Sequence, residues 1–415
     1  MKNKKPSRLN SIAILGLLLA WPAASFAQLK VEVLETVKIH ESHIYGYFPS
    51  LQMLSTGELI CDFSLHPDTD EIEGSFWGYV VSTDKGKTWG MRHTAGAIYR
   101  EAAYTRDPPL SDGSMLVVAG YPLPGPGDDY RNLLTTSCRL SAGGKTALYQ
   151  WDVSIRLPQP AFRVKMYDKI TGVASIGPGR IKEAAFFMFN GTLLAAQDGG
   201  WVTTMHGKFE NDRYMRSVVV KSDRSGKNWE FVSSITSDEL VTAAMEFENE
   251  TLTSKRIEGF SEPRLVRLPD GRLFVVMRRG SNNVMYKAWS KDDGKTWTKP
   301  ASIGFRGVEP AMLRMANGAL ALCTGRPDTI AVRFSTDDGE SWGHATALTK
   351  GFENPDSPRG RGQKSTCYTG LVEVEPGKLL VVYDHLPFVE GWGLNPADKP
   401  EAMNTIYGTF VKVDR

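Results

Sequence analysis

The sequence predicts an all-β chain closed into a six-bladed β-propeller. Two repeats and the composition predict it. The first repeat is a polar octapeptide ending in tryptophan: residues 82–89 read Ser-Thr-Asp-Lys-Gly-Lys-Thr-Trp, residues 290–297 Ser-Lys-Asp-Asp-Gly-Lys-Thr-Trp, and residues 335–342 Ser-Thr-Asp-Asp-Gly-Glu-Ser-Trp. The second is a glycine-centred turn ahead of an apolar strand, at Gly57, Gly113, Gly191, Gly271, Gly318 and Gly377. Periods of this length mark stacked sheet modules, and six modules fit a propeller. With 40 Gly and 10 Trp in 415 residues, the composition suits a β protein whose turns carry tryptophan.

The octapeptide reads as a hairpin turn. Asp hydrogen-bonds its own backbone and Gly accepts positive φ, while Trp is large enough to pin the turn on a neighbouring apolar layer. Residues 222–229 keep Ser222, Gly226 and Trp229, with Asp223 one place early, and residues 143–146 form a worn copy without Trp. The wide gaps that follow Gly113 and Gly191 predict insertions in the second and third blades.

In chain order, Met1 to Lys5 is basic, residues 12–24 are apolar, and Ser25 and Ala27 are small. That is a secretory signal cleaved before Gln28, too short and wrongly flanked for a permanent membrane span. The mature chain, 28–415, is then expected as one exported domain with no later span. Residues 29–39 and 405–413 alternate like strands and would seal the last blade to the first, since an open ring leaves sheet edges bare. Residues 68–73 form an acidic loop. Surface loops are expected over 121–129, 351–364 and 387–400, and a short helix over 239–250. A net charge of +2 gives no bulk case for nucleic acid. Cys61, Cys138, Cys323 and Cys367 are too few and scattered for a disulfide framework; pairing and burial as small hydrophobes both stay open. The histidines lack metal-ligand spacing.

The octapeptide resembles the Asp-box of the sialidase (BNR-repeat) propellers, a structural turn with no chemistry of its own. A second resemblance concerns a site. Glu262 lies in Ser261-Glu262-Pro263-Arg264 and is followed by a Gly turn and a strand ending in Arg278-Arg279. Later, Cys367-Tyr368-Thr369-Gly370 precedes the strand 379–384. Sialidases carry a Glu, a turn and an Arg in this order, then a segment with a Tyr nucleophile. Asp70, in the acidic loop before the first Asp-box, occupies the place of the sialidase acid/base, with Asp68 and Glu71 as competitors. Gly177-Pro178-Gly179 is similar to a further sialidase loop. The resemblance spans nearly the whole mature chain.

The chemistry implied is coherent. A carboxylate nucleophile would be repelled by the carboxylate on the anomeric carbon of sialic acid. A phenol is not, provided a base takes its proton, and Glu262 beside Tyr368 would supply one. An acid protonates the leaving oxygen, and arginines hold the substrate carboxylate. Taken singly, each residue also has a structural reading: Arg278 as half of an ion pair, Tyr368 as a rim residue, Asp70 as a solvated charge, Glu262 as a turn residue. One departure stands out. Sialidases use three arginines, and where the first is expected the chain has Tyr47. Arg278 would be the second and Arg326 the third, with Arg100 a substitute cation. The resemblance implies an exported glycosidase cutting a terminal, acidic sugar from a glycan with retention and without a cofactor. The alternatives are a glycosidase of this fold acting on another sugar and a non-catalytic carbohydrate-binding propeller.

Overall fold

The computed structural model describes residues 29–43, 46–65, 77–95, 102–107, 110, 112–119, 122–141, 145–146, 150–167, 181–235, 258–280, 283–326, 329–349, 364–386 and 403–414. These residues form strands and turns and contain no helix. The expected helix at 239–250, the signal segment, the loop at 387–400 and all of the loop at 351–364 except Lys364 lie outside them.

Strand β1 (Lys30–Ser42) precedes a four-stranded meander of β2 (Tyr47–Met53), β3 (Leu59–Ser64), β4 (Trp77–Ser82) and β5 (His93–Ala95). Then come β6 (Ala102–Asp107), β7 (Met115–Ala119), β8 (Leu123–Gly125), β9 (Asp129–Ser141), β10 (Lys145–Thr146), β11 (Gln150–Arg156), the hairpin β12 (Arg163–Tyr167) with β13 (Ile181–Ala185), and β14 (Phe187–Ala195), β15 (Trp201–Gly207), β16 (Arg216–Ser222) and β17 (Asn228–Ser234). Two more meanders follow: β18 (Ser261–Arg267), β19 (Leu273–Arg278), β20 (Val284–Ser290) and β21 (Ala301–Arg306), then β22 (Val308–Arg314), β23 (Leu320–Gly325), β24 (Ala331–Ser335) and β25 (Thr346–Ala347). Finally β26 (Thr369–Glu375), β27 (Lys378–His385) and β28 (Asn404–Asp414) join β1 in the order β1-β28-β27-β26. The two ends of the described chain thus share a sheet, Lys30 opposite Asp414 and Ser42 opposite Asn404.

Six four-stranded sheets are not what the described strands form. Four units are separate four-stranded sheets. The strands expected for the second and third blades instead close into one ring, β6-β7-β9-β11-β17-β16-β15-β14. The reason is edge pairing: β6 runs parallel to β14 and β11 parallel to β17, so neither half keeps a bare edge there. The expected loop at 121–129 also changes, because β8 pairs with β9 within it. Of the worn octapeptide copy, Lys145 and Thr146 are strand β10, and Gly143 and Gly144 lie outside the described residues.

Among the described residues the core falls into six apolar clusters, five between neighbouring units and one inside the ring. One example joins Leu59, Cys61, Phe63 and Val80 to Leu380, Val382 and Phe410, and another joins Val266, Phe274 and Trp289 to Met312 and Leu322. The others lie between the ring and β2–β4, inside the ring, between the ring and β18–β20, and between β22–β24 and β26–β28. None of the four cysteines forms a disulfide, and all are buried in these layers. Burial pushes the thiols of Cys138, Cys323 and Cys367 up to about 12, so they behave as small hydrophobes.

The octapeptides lock these interfaces. In the first, Ser82 Oγ donates to Asp84 (2.8 Å), Gly86 N to Ser82 Oγ (2.9 Å), Thr88 N to Asp84 (2.9 Å) and Trp89 Nε1 to the Gly86 carbonyl (3.0 Å). Residues 290–297 repeat this set. The glycine is required twice over. Its φ is 88–89° in the three full copies, and a Cβ on it would overlap the next unit: Leu380 at Gly86, the Phe274 ring at Gly339.

Candidate active site

The first strands of successive units lie side by side: β2 beside β26, then β22, β18 and β14. Three of them begin alike. Phe48, Glu262 and Glu309 are each the second residue of their strand, each is followed by proline, and each has left-handed φ, at 55°, 46° and 37°. The ladder slips register at each place. Proline has no N–H to give a ladder, and a bulge re-aims the side chain before it. Holding a non-glycine residue there costs about 1–3 kcal/mol.

At Glu262 the result is a carboxylate with both oxygens occupied. Tyr368 donates its hydroxyl to Oε1 at 2.6 Å, Arg278 Nη1 also donates to Oε1, and the Glu309 N–H donates to Oε2 at 2.7 Å. Arg278 Nη1 also lies 3.4 Å from the Tyr368 oxygen. Burial pushes the Glu262 carboxyl up, but Arg278, the Tyr368 hydroxyl and the Glu309 N–H outweigh it and hold it below its ordinary range. Burial disfavours the charge on Arg278 too, yet Glu262 and Glu258 raise it on balance.

Tyr368 is half-buried and is held from two sides. Its ring meets Phe48 edge to face, 4.8 Å between centroids. The turn before it is tied to Asp384, whose carboxylate accepts from Ser365 Oγ (2.6 Å), Thr366 N (2.8 Å), Thr366 Oγ1 (2.5 Å) and Phe48 N (3.0 Å). One buried aspartate therefore fixes both walls around the phenol.

Tyr368, Glu262 and Arg278 are thus brought together. Arg326 is buried and donates Nη2 to the Thr366 carbonyl at 2.8 Å, supporting the tyrosine turn. The Tyr47 backbone opens β2 opposite Ser64, and its side chain lies outside the described set. So do Asp68, Asp70, Glu71, Arg100 and residues 177–179.

Sequence reasoning missed several neighbours. Glu258 pairs with Arg278 Nη2 at 2.7 Å. Arg264 pairs with Glu309 at 3.1 Å, and Asn190 Nδ2 donates to the same oxygen at 3.4 Å. His206, on β15, is buried within electrostatic reach of Glu262 and Arg278, and burial lowers its imidazole to about 4, so it stands neutral. For Glu309 a signal existed: Phe48, Glu262, Glu309 and Tyr368 each stand nine residues before a turn glycine, Gly57, Gly271, Gly318 and Gly377. For Glu258 and His206 there was none. No group of three or more His, Cys, Asp or Glu among the described residues is placed to hold a metal.

Residues 178–381 match the family model described as a BNR repeat-like domain. No curated protein matches the chain. Among solved structures, a protein of unknown function from Dyadobacter fermentans superposes with a TM-score of 0.61 at 18% identity, over 92% of this chain and 99% of that one. The Hadza microbial sialidase Hz136 gives 0.59 at 16%, over 89% of this chain and 66% of that one. A Penicillium chrysogenum α-L-arabinanase, complexed with arabinobiose, gives 0.56 at 14%, over 92% and 98%. At these identities the likeness is one of fold.

Proposed function

We propose that this BNR-repeat protein of sialidase-like fold is an exported glycoside hydrolase that removes a terminal sugar from glycans with retention. The observation that carries the reading is the 2.6 Å hydrogen bond from the Tyr368 hydroxyl to the buried, ionised Glu262. A phenol with a base on its proton is an activated nucleophile. Glu262 itself is a poor nucleophile because its oxygens already accept from three donors.

Tyr368 Oη attacks the anomeric carbon while its proton passes to Glu262 Oε1. Arg278 Nη1 meets the charge growing on the phenol oxygen. The bond to the leaving oxygen breaks as an acid protonates it, the role assigned to Asp70. That residue, now a carboxylate, takes a proton from water; the water attacks the anomeric carbon, and Glu262 returns its proton to the departing phenol. The steps call on no cofactor.

The same reading includes export through residues 1–27 and a six-bladed ring over 28–415. The eight-strand ring divides at its two parallel seams into two antiparallel four-strand halves, which with the four separate sheets make six units; the six apolar clusters support this. A solved-structure likeness to both a sialidase and an arabinanase leaves the sugar to be argued from the site.

The test is release of monosaccharide from pooled plant, algal, fungal and animal glycans. Tyr368→Phe should lower the rate by roughly 10³-fold or more while the fold is retained. Release at the wild-type rate by that variant would remove Tyr368 from the chemistry.

A further inference from the structure

Whether the sugar at Tyr368 carries a charge is decided by what the arginines are free to do, and this inference rests on the glycosidase reading above. Among the described residues, three carboxylates and two guanidiniums meet at the site: Glu258, Glu262 and Glu309 against Arg264 and Arg278. Both arginines are engaged. Arg278 gives Nη1 to Glu262 and Nη2 to Glu258 at 2.7 Å. Arg264 gives Nη2 to Glu309 at 3.1 Å and Nε to the Pro310 carbonyl at 2.9 Å. Arg326 has one end on the Thr366 carbonyl, and position 47 carries tyrosine.

Glu258 is the informative member. It occupies the second prong of the Arg278 fork, the geometry a ligand carboxylate uses when it binds arginine side-on. Its placement is built in. The Glu258 carbonyl accepts from Met215 N at 2.9 Å and Phe260 N donates to the Met215 carbonyl at 3.0 Å. Gly259 between them has φ 94°, and a Cβ there would overlap the Met215 backbone. Only glycine fits, so the chain that delivers Glu258 to Arg278 is held against Met215, the residue just ahead of β16. The pair is well shielded, with side chains 9% and 15% exposed. An anionic sugar would have to expel a half-buried carboxylate from its partner and then sit among the others.

We propose that Glu258 is a specificity residue that fills the carboxylate subsite on Arg278, and that the sugar cleaved at Tyr368 is uncharged. The phenol does not demand an anionic substrate, because Glu262 is already tied on both oxygens whatever the sugar carries. An uncharged ring meets the carboxylates as hydrogen-bond acceptors for its hydroxyls.

Two measurements test this. First, binding of 2-deoxy-2,3-didehydro-N-acetylneuraminic acid is followed by calorimetry. The wild type should not bind it below millimolar concentration, and Glu258→Gln, which keeps the shape and removes the negative charge that competes for Arg278, should gain at least tenfold in affinity, with the gain shrinking in high salt. Micromolar binding by the wild type overturns the inference, as does a folded Glu258→Gln with no gain. Second, the sugar released from the glycan pool by the wild type is identified by mass and charge, which needs no variant. A neutral sugar whose release is lost in Tyr368→Phe is the expected result. An acidic sugar lost in the same way overturns the inference and leaves the glycosidase reading standing. No Tyr368-dependent release of any sugar overturns both.

Discussion

Replacing Asp62 with asparagine should change how stability depends on pH. Asp62 lies on β3 between Ser50 and Tyr79 and is wholly buried. Its Oδ2 accepts from Ser50 Oγ at 2.7 Å, and its Oδ1 has no partner among the described residues. No cation is paired with it there. Burial therefore pushes the carboxyl from 3.8 up to about 6, against the pull of the Ser50 and Gln52 side chains. A folded-state value above the unfolded one means that the native state binds the extra proton. The contribution is fully present below pH 3.8 and is lost as pH rises through 6. The shift of roughly two units corresponds to about 3 kcal/mol. An amide cannot titrate, and whatever hydrogen bonding the substituted side chain gains or loses is constant with pH. Urea unfolding of wild type and Asp62→Asn between about pH 4 and 8 should therefore give a stability difference that moves by about 3 kcal/mol in favour of the variant, flattening above about pH 7. Other titrating groups cancel in the difference. Parallel curves would refute the account, because they would mean that Asp62 is as easily ionised in the fold as in the open chain.

Two further outcomes follow from the same structure. Gly339→Ala and Gly318→Ala share a φ of 88°, but only the first Cβ meets a neighbour, the Phe274 ring; by urea unfolding Gly339→Ala should cost about 1–3 kcal/mol more, and equal costs would show that the turn does not press on the next unit. Arg278→Met should cost about 3–5 kcal/mol at neutral pH, because it strands Glu258 and Glu262 without a cation. It should also invert the local pH slope: in the wild type the depressed Glu262 adds stability that is lost as pH falls, whereas stranded carboxyls favour the protonated form and the variant gains as pH falls. A wild-type slope in the variant would refute the pairing.

What the sequence showed and what it hid differ in range. The octapeptides were legible because their bonds are local: Asp84 reaches Thr88 and Ser82 reaches Gly86, all within one turn. The strands at the two ends of the described chain were legible from alternation, and their pairing from the need to cover edges. The parallel seams β6–β14 and β11–β17 were not, because nothing in either strand specifies a partner some 75 to 90 positions away. At the site, resemblance picked out Tyr368, Glu262 and Arg278 as neighbours. It could not indicate that Arg278 also holds Glu258, since an arginine reads the same in sequence whether its fork is open or filled. Asp384 reads in sequence only as the end of a strand, yet it is the acceptor on which Phe48 and Thr366 converge.

The position nine residues before the turn glycine explains why the site sits where it does. In a sheet unit this is the start of the first strand, and the first strands of neighbouring units adjoin. A residue type placed there in one unit can touch one placed there in another, although far apart in sequence. Glu262 and Glu309 use it in adjoining units, and Phe48 and Tyr368 use it on either side of the β2–β26 contact, where the last sheet meets the first meander. Left-handed backbone at Phe48, Glu262 and Glu309, and at Cys367 just before Tyr368, costs about 1–3 kcal/mol at each place. Such strain persists only where the surroundings over-determine it. They do so here: apolar clusters clamp the sheets from both faces, β1 closes onto β28, and Asp384 ties the tyrosine turn to the opening strand. A rigid closed scaffold can hold a few unfavourable backbone angles that aim four side chains at one another, and the same four positions on a frayed sheet would relax and separate the Tyr368 phenol from Glu262.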